Sequence, residues 1–104
     1  MKIKNKKLQG LAKVLMLAKK EEELVGLLHD LFTESEIEKA HERIEIFACL
    51  NSGMSQRETK KKAHAAIATV SHGAKFLRNS AVIIHKILDF AKNMNWWNRL
   101  FWQT

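Results

Sequence analysis

Not one proline interrupts the 104 residues of this chain, and glycine occurs only four times. Proline and glycine are the residues that break helices and close tight hairpins, so a chain nearly free of both has little means of folding a β-ribbon back on itself. Leu, Ala, Lys and Glu, used freely here, lose little on entering a helix. The expected fold class is therefore all-α. A chain of this length builds one domain with a modest core, and any second functional module has to come from a partner or a second copy.

Apolar residues recur at helical steps along the chain. Leu8, Leu11, Leu15 and Ala18 step by three and four, and Leu24, Leu27, Leu28 and Leu31 do the same after Glu21, Glu22 and Glu23, which gives one long helix or two. Thr33 with Glu36, and Ser35 with Glu38, are overlapping capping boxes, in which a hydroxyl accepts from a free amide and the carboxylate bonds back. The helix they open is expected to carry Ile37, Ala40, Ile44 and Phe47 on its inner stripe. It should stop near Asn51-Ser52-Gly53, where Gly53 can take the left-handed conformation that closes a helix. Ser55 and Glu58 form a further capping box and open a short basic helix, Ser55 to about Lys62. A turn near His64 and Ala65 follows, then a helix with Val70, Gly73, Ala74 and Leu77 on one side. Asn79-Ser80 breaks that helix and caps a last one, Ala81 to about Asn93, for about six helices in all.

The last helix holds Val82, Ile83, Ile84, Ile87, Leu88, Phe90, Ala91 and Met94, more apolar surface than one stripe accommodates. A helix apolar nearly all round must be buried nearly all round, which so small a domain cannot do alone, and a dimer interface is the inference. Beyond it lies a tail with Trp96, Trp97 and Trp102. The expected organisation is a helical domain over residues 1–94 with a basic N-terminal arm, and a Trp-rich tail over 95–104.

Charge is divided along the chain. Residues 1–20 carry seven Lys and no acid, 21–50 carry nine acids against two bases, and 51–104 carry nine bases against two acids, for a net charge of +7. Two positive blocks flanking a negative one point to a polyanionic partner, nucleic acid or an anionic membrane face, against the plain alternative of a solvated surface. The N-terminal Lys2, Lys4, Lys6 and Lys7 either follow phosphates or merely solubilise the end. The single Cys49 sits in an apolar run, which suits a small buried hydrophobe and a reducing cytoplasm. No secretion signal is expected at the N-terminus, because Lys13 splits its apolar run and no small-residue cleavage site precedes Lys19. The five histidines, His29, His41, His64, His72 and His85, show no close pair at metal-ligand spacing. The acids follow a helical face instead of converging on a nucleophile or a phosphate loop, so neither a metal site nor an enzyme is expected.

The strongest constellation is Met54-Ser55-Gln56-Arg57-Glu58 followed by Ala66-Ile67-Ala68-Thr69-Val70-Ser71-His72-Gly73. A capped short helix, a tight turn, and a second helix with Ala, Thr and Ser outermost is what entry into a major groove requires. Bulky side chains would hold the helix off the base edges, whereas these allow methyl contacts to thymine and hydroxyl bonds. The runs MSQRE and IATVSHGAKFLR, preceded by LFTESEIEKAHERIEIFACLNSG, resemble the Trp repressor family over about residues 24–92.

That resemblance implies an intertwined homodimer that binds double-stranded DNA through a helix-turn-helix and regulates transcription, mostly by repression. Carried over by position, Gln56 and Arg57 open the first helix near DNA, with Arg57 a bidentate reader of guanine; Lys60 faces the backbone or groove; Ile67, Ala68, Thr69 and Ser71 lie on the reading face; Arg78 approaches phosphate. The chain departs from the family pattern in three places. His64 fills the turn position usually held by Gly, Thr59 and Ala63 replace larger apolar residues between the two helices, and one residue is missing between Gly53 and Met54.

Family members that sense tryptophan grip it between two arginines beside a threonine. Arg43 and Thr33 match two of these positions, but His72 stands for the carboxylate-binding arginine and Phe76 for a serine over the amino group. A neutral imidazole replaces a two-donor fork poorly, and Phe76 takes up space the ligand needs, which argues against tryptophan as corepressor. The alternatives are another amino-acid or aromatic effector, a pocket filled by Phe76, or one filled by a tail tryptophan. The competing functional reading is a membrane-peripheral or structural helical module, with the basic N-terminal helix and Trp-rich tail on an anionic bilayer. The small residues on the reading face favour DNA.

Overall fold

A computed structural model describes residues 5–79 and 82–93. The described residues form helices and no strand: α1 (Lys6–Leu15), α2 (Glu21–Leu31), α3 (Glu34–Asn51), α4 (Gln56–Ala63), α5 (Ile67–Asn79) and α6 (Val82–Asn93). The tail with its three tryptophans, Lys2 and Lys4 of the arm, and the Ser80 and Ala81 cap fall outside the described residues. The chain divides into two units, Met1–Glu38 and Lys39–Thr104.

In the first unit the Asn5 side chain caps α1 by accepting from the amides of Lys7 and Leu8 at 2.9 and 3.2 Å. The apolar periodicity running from Leu8 to Leu31 resolves into two helices. Leu17 and Ala18 donate three residues back, to Val14 and Leu15, which tightens the chain out of the α-helical path. The Lys19 amide then donates to Glu23 Oε1 at 2.8 Å as α2 begins. Neither α1 nor α2 contains a buried residue.

Of the two overlapping start signals for α3, the first one forms. The Thr33 amide donates to Glu36 Oε1 at 2.8 Å, and the Glu36 amide donates to Thr33 Oγ1 at 3.2 Å. Ser35 already lies inside the helix. At the other end the Met54 amide reaches Cys49 O and the Gly53 amide reaches Leu50 O, both at 3.1 Å, with Gly53 at φ 99°. This paired closure satisfies two carbonyls that a helix end leaves open, and it needs a residue without Cβ at that φ.

The inner stripe of α3 differs from the expected one. Ile37, Ala40 and Ile44 are exposed and Phe47 is half-buried, whereas Ile46, Ala48 and Cys49 are buried. Within the second unit, α4, α5 and α6 pack on the C-terminal turns of α3. Ile46 packs with Ala63, Ala65 and Val70, with Leu50 at the margin, and Ala48 packs with Leu88, beside Phe47 and Ile84. Cys49 is fully buried as expected, and burial, aided by the Glu45 charge and opposed by Lys62, pushes its thiol up to about 11. Among the described residues of α6, Leu88 is buried, while Ile83, Ile87 and Phe90 are exposed.

Candidate nucleic-acid interface

The N-terminus of α4 is fixed by a reciprocal pair of bonds. The Glu58 amide donates to Ser55 Oγ and the Ser55 amide donates to Glu58 Oε1, each at 3.1 Å. Bonding to the Ser55 backbone and side chain holds the Glu58 carboxyl below its usual range, since both contacts favour the ionised form. The helix ends at His64, which takes the left-handed conformation at φ 54°, ψ 43°, and the following amide of Ala65 bonds back to Lys60 O at 3.2 Å. Histidine tolerates this conformation better than a β-branched residue does. The turn position flagged in the sequence is therefore the one that reverses the chain.

α5 returns against α4 and α3. Val70 and Thr59 are fully buried, Ala63, Ala65, Ala74 and Leu77 nearly so. Gly73 is the closest approach: a Cβ there would stand 3.0 Å from Ile46 Cγ2 and 3.5 Å from Phe47 Cε1. The small size of Gly73 thus serves the crossing of α5 on α3, and not a crossing on α4. The Thr59 hydroxyl has no hydrogen-bond partner although it is buried. A threonine in place of an apolar residue thus fills the space and leaves one polar group unpaid for.

The residues singled out for DNA lie on the outside of this pair. Arg57 and Lys60 on α4, and Ile67, Ala68, Thr69, Ser71 and Arg78 on α5, are exposed, and Gln56 is half-buried. Residues 55–79 carry six Lys and Arg against the single acid Glu58. One link between the helices had no signal in the sequence: Ser71 Oγ donates to Gln56 Oε1 at 2.7 Å across fifteen residues.

Three of the proposed ligand residues share one cavity in the second unit. Arg43, His72 and Phe76 line a cavity of about 550 Å³ with Ile46, Phe47, Ala68, Thr69 and Gly73. Within it the Phe76 ring stacks on Phe47, with centroids 5.5 Å apart and planes 24° from parallel. Thr33 belongs to the first unit, where its hydroxyl caps α3. A second cavity, about 530 Å³, lies beside Leu50, Gln56, Leu77, Arg78 and His85. At its edge His85 and Asn51 form a polar network that local sequence patterns could not foretell, because its members are 34 residues apart.

Among the described residues there is no group of three or more His, Cys, Asp or Glu side chains that could hold a metal ion, and no helix is long and apolar enough to cross a membrane. Comparison with protein families matches residues 6–91 to the family described as Trp repressor protein. The chain belongs to the Trp repressor family. No curated protein and no solved structure matches it. The family match covers every described helix but the last two residues of α6. It makes the chain a helix-turn-helix regulator of the DNA-binding kind, in a family of regulators and not of enzymes.

Proposed function

We propose that this chain is a sequence-specific transcriptional regulator, a repressor, that reads the major groove of duplex DNA as an intertwined homodimer in the cytoplasm. The observation that carries the reading is the α4–α5 unit. A capped helix, a left-handed turn and a second helix present small and hydroxyl side chains outward amid an excess of positive charge. Arg57 reads a base, with Gln56, Lys60, Ile67, Ala68, Thr69 and Ser71 along the groove and Arg78 on phosphate. Residues 1–94 act as the DNA-binding domain, and 95–104 as a tail that caps the dimer. The second copy covers the exposed Ile83, Ile87 and Phe90 of α6.

Selection from a random duplex library, followed by titration of variants on the selected site, tests this reading. Arg57→Ala should lower discrimination at one base pair by about 1–3 kcal/mol, whereas Lys61→Ala should weaken all sequences alike and flatten the salt dependence. Equal effects of both on specific and random DNA would remove Arg57 as a base reader. Binding to anionic vesicles in place of duplex DNA would turn the assignment toward a membrane-peripheral module.

The cavity beside Arg43 and His72 is not a tryptophan site on this reading. The Phe76 ring forms part of its wall, stacked on Phe47, and His72 lacks the two-donor fork that grips a carboxylate. Tryptophan should change operator affinity by less than tenfold, about 1.4 kcal/mol, and the double variant His72→Arg, Phe76→Ser should create a dependence on it. Calorimetry on both proteins checks this, and micromolar binding by the unaltered chain would overturn it.

A further inference from the structure

α6 is joined to the rest of its unit by an apolar contact and a polar one, and they do different work. The buried apolar contact is Leu88 on Ala48, with Ile84 and Phe47 at its edge. Such a contact is non-directional and acts as a pivot, about which α6 could take several orientations at similar cost. The polar contact removes that freedom. His85 Nε2 lies 2.9 Å from Leu77 O and Nδ1 lies 2.8 Å from Asn51 Oδ1, and Asn51 Nδ2 donates to Asp89 Oδ1 at 2.8 Å.

These partners are helix ends. Leu77 is in the last turn of α5, where carbonyls lack an intrahelical donor, and Asn51 is the last residue of α3. The Asp89 carboxylate accepts only, so it fixes which end of the Asn51 amide faces His85: the oxygen. Both ring nitrogens of His85 therefore face oxygen atoms, at opposite edges of the ring. A planar ring held at two opposite edges sets a direction, which the Leu88 contact cannot do.

We propose that His85 is the positioning residue that fixes α6 relative to the reading helix α5, and through it the half-site spacing the dimer selects. This rests on the DNA-binding reading above, in which α6 joins two copies and α5 enters the groove. Two reading helices must then meet half-sites about one helical turn apart, roughly 34–36 Å, and a small rotation of α6 moves both.

His85→Leu puts an apolar side chain of similar reach in its place and removes both bonds. Because that variant also takes the ring away from Leu77 O and Asn51 Oδ1, a second pair is made at the exposed Asp89: Asp89→Asn keeps an acceptor oxygen, and Asp89→Ala frees the Asn51 amide to turn over. Backbone dipolar couplings of α5 and α6, measured without DNA, should fit one common orientation in the unaltered chain and in Asp89→Asn, and should not in His85→Leu or Asp89→Ala. On duplexes with the two half-sites one base pair nearer or farther than the best spacing, the unaltered protein should lose about tenfold in affinity. His85→Leu should keep single half-site affinity while that loss shrinks to about threefold or less. Unchanged couplings in both disruptive variants, or an equal loss on single and paired half-sites, would overturn the proposal. If the unaltered chain selects no DNA sequence, the functional reading fails, and the couplings alone decide the role of His85; if His85→Leu does not fold, Asp89→Ala decides it.

Discussion

The α1–α2 pair and the α4–α5 pair are built alike, two short helices joined by a few residues, and they end differently. α4 and α5 bury Thr59, Ala63, Val70, Gly73, Ala74 and Leu77, whereas α1 and α2 bury nothing. The difference lies in a third surface. Helices this short are marginal alone, and most of their stability comes from packing an apolar face on something else. α4 and α5 find Ile46 of α3, on which Ala63 and Val70 converge. In α1 and α2 the leucines keep helical spacing, yet Leu8, Leu24, Val25 and Leu31 remain exposed in the single chain. An amphipathic pattern tells where a helix forms, and only a neighbour decides whether its stripe becomes core. On the homodimer reading, that neighbour is a second copy.

The largest effect should come from Ile87→Asp. Ile87 is 56 % exposed in the single chain, so an Asp there would cost a monomer little. In a shared core it would bury an unpaired charge and abolish folding. Circular dichroism with analytical sedimentation checks this, and a well-folded monomer would show that the exposed stripes are simply solvated.

Next, Thr59→Val should stabilise the protein by about 1–3 kcal/mol in urea unfolding, because it keeps the shape and removes a buried hydroxyl with no partner. A loss of stability would mean that the hydroxyl is satisfied after all.

A pair of glycine substitutions then measures the two regions directly. Nothing lies within 4 Å of a Cβ placed on Gly26, so Gly26→Ala should gain the full helical preference, about 1 kcal/mol. Gly73→Ala should gain less, because its Cβ meets Ile46 Cγ2 at 3.0 Å. If Gly26→Ala destabilises instead, that face of α2 is closely covered in the assembled protein.

The smallest effect belongs to Glu58. Its folded-state carboxyl titrates below the ordinary 4.5, so its contribution is present above that pH and is lost as pH falls through the lowered value. Glu58→Gln should flatten the acid limb of a plot of urea midpoint against pH, and an unchanged limb would show that the capping bonds do not favour the ionised form.

Much of this was legible from local signals. Thr33–Glu36, Ser55–Glu58, Gly53 and the turn at His64 each act within a few residues, and each stands where its residue types require. The core face of α5 followed from spacing alone, since Val70, Gly73, Ala74 and Leu77 share one side of a helix. The stripe of α3 departs from the expected one because Ile37, Ala40 and Ile44 have the right period, yet Ile46 and Ala48 are the residues that pack with Ala63, Val70 and Leu88 of α4, α5 and α6. Period does not say which part of a long helix its neighbours reach. The Ser71–Gln56 and His85–Asn51–Asp89 bonds were out of reach for another reason: they join residues 15 to 38 apart, and only the fold makes them neighbours.

Cys49 gives the molecule an internal clock. Its thiol is sealed at the heart of the second unit and raised to about 11, so at neutral pH it is both hidden and almost entirely un-ionised. Thiolate is the form that reacts, and a reagent in solution reaches it only when the packing around α3 opens. As the chain's one cysteine, it reports on that event with no competing signal. The labelling rate, read over a range of protein and DNA concentrations, would time how often the structure breathes, and how far assembly or operator binding slows it.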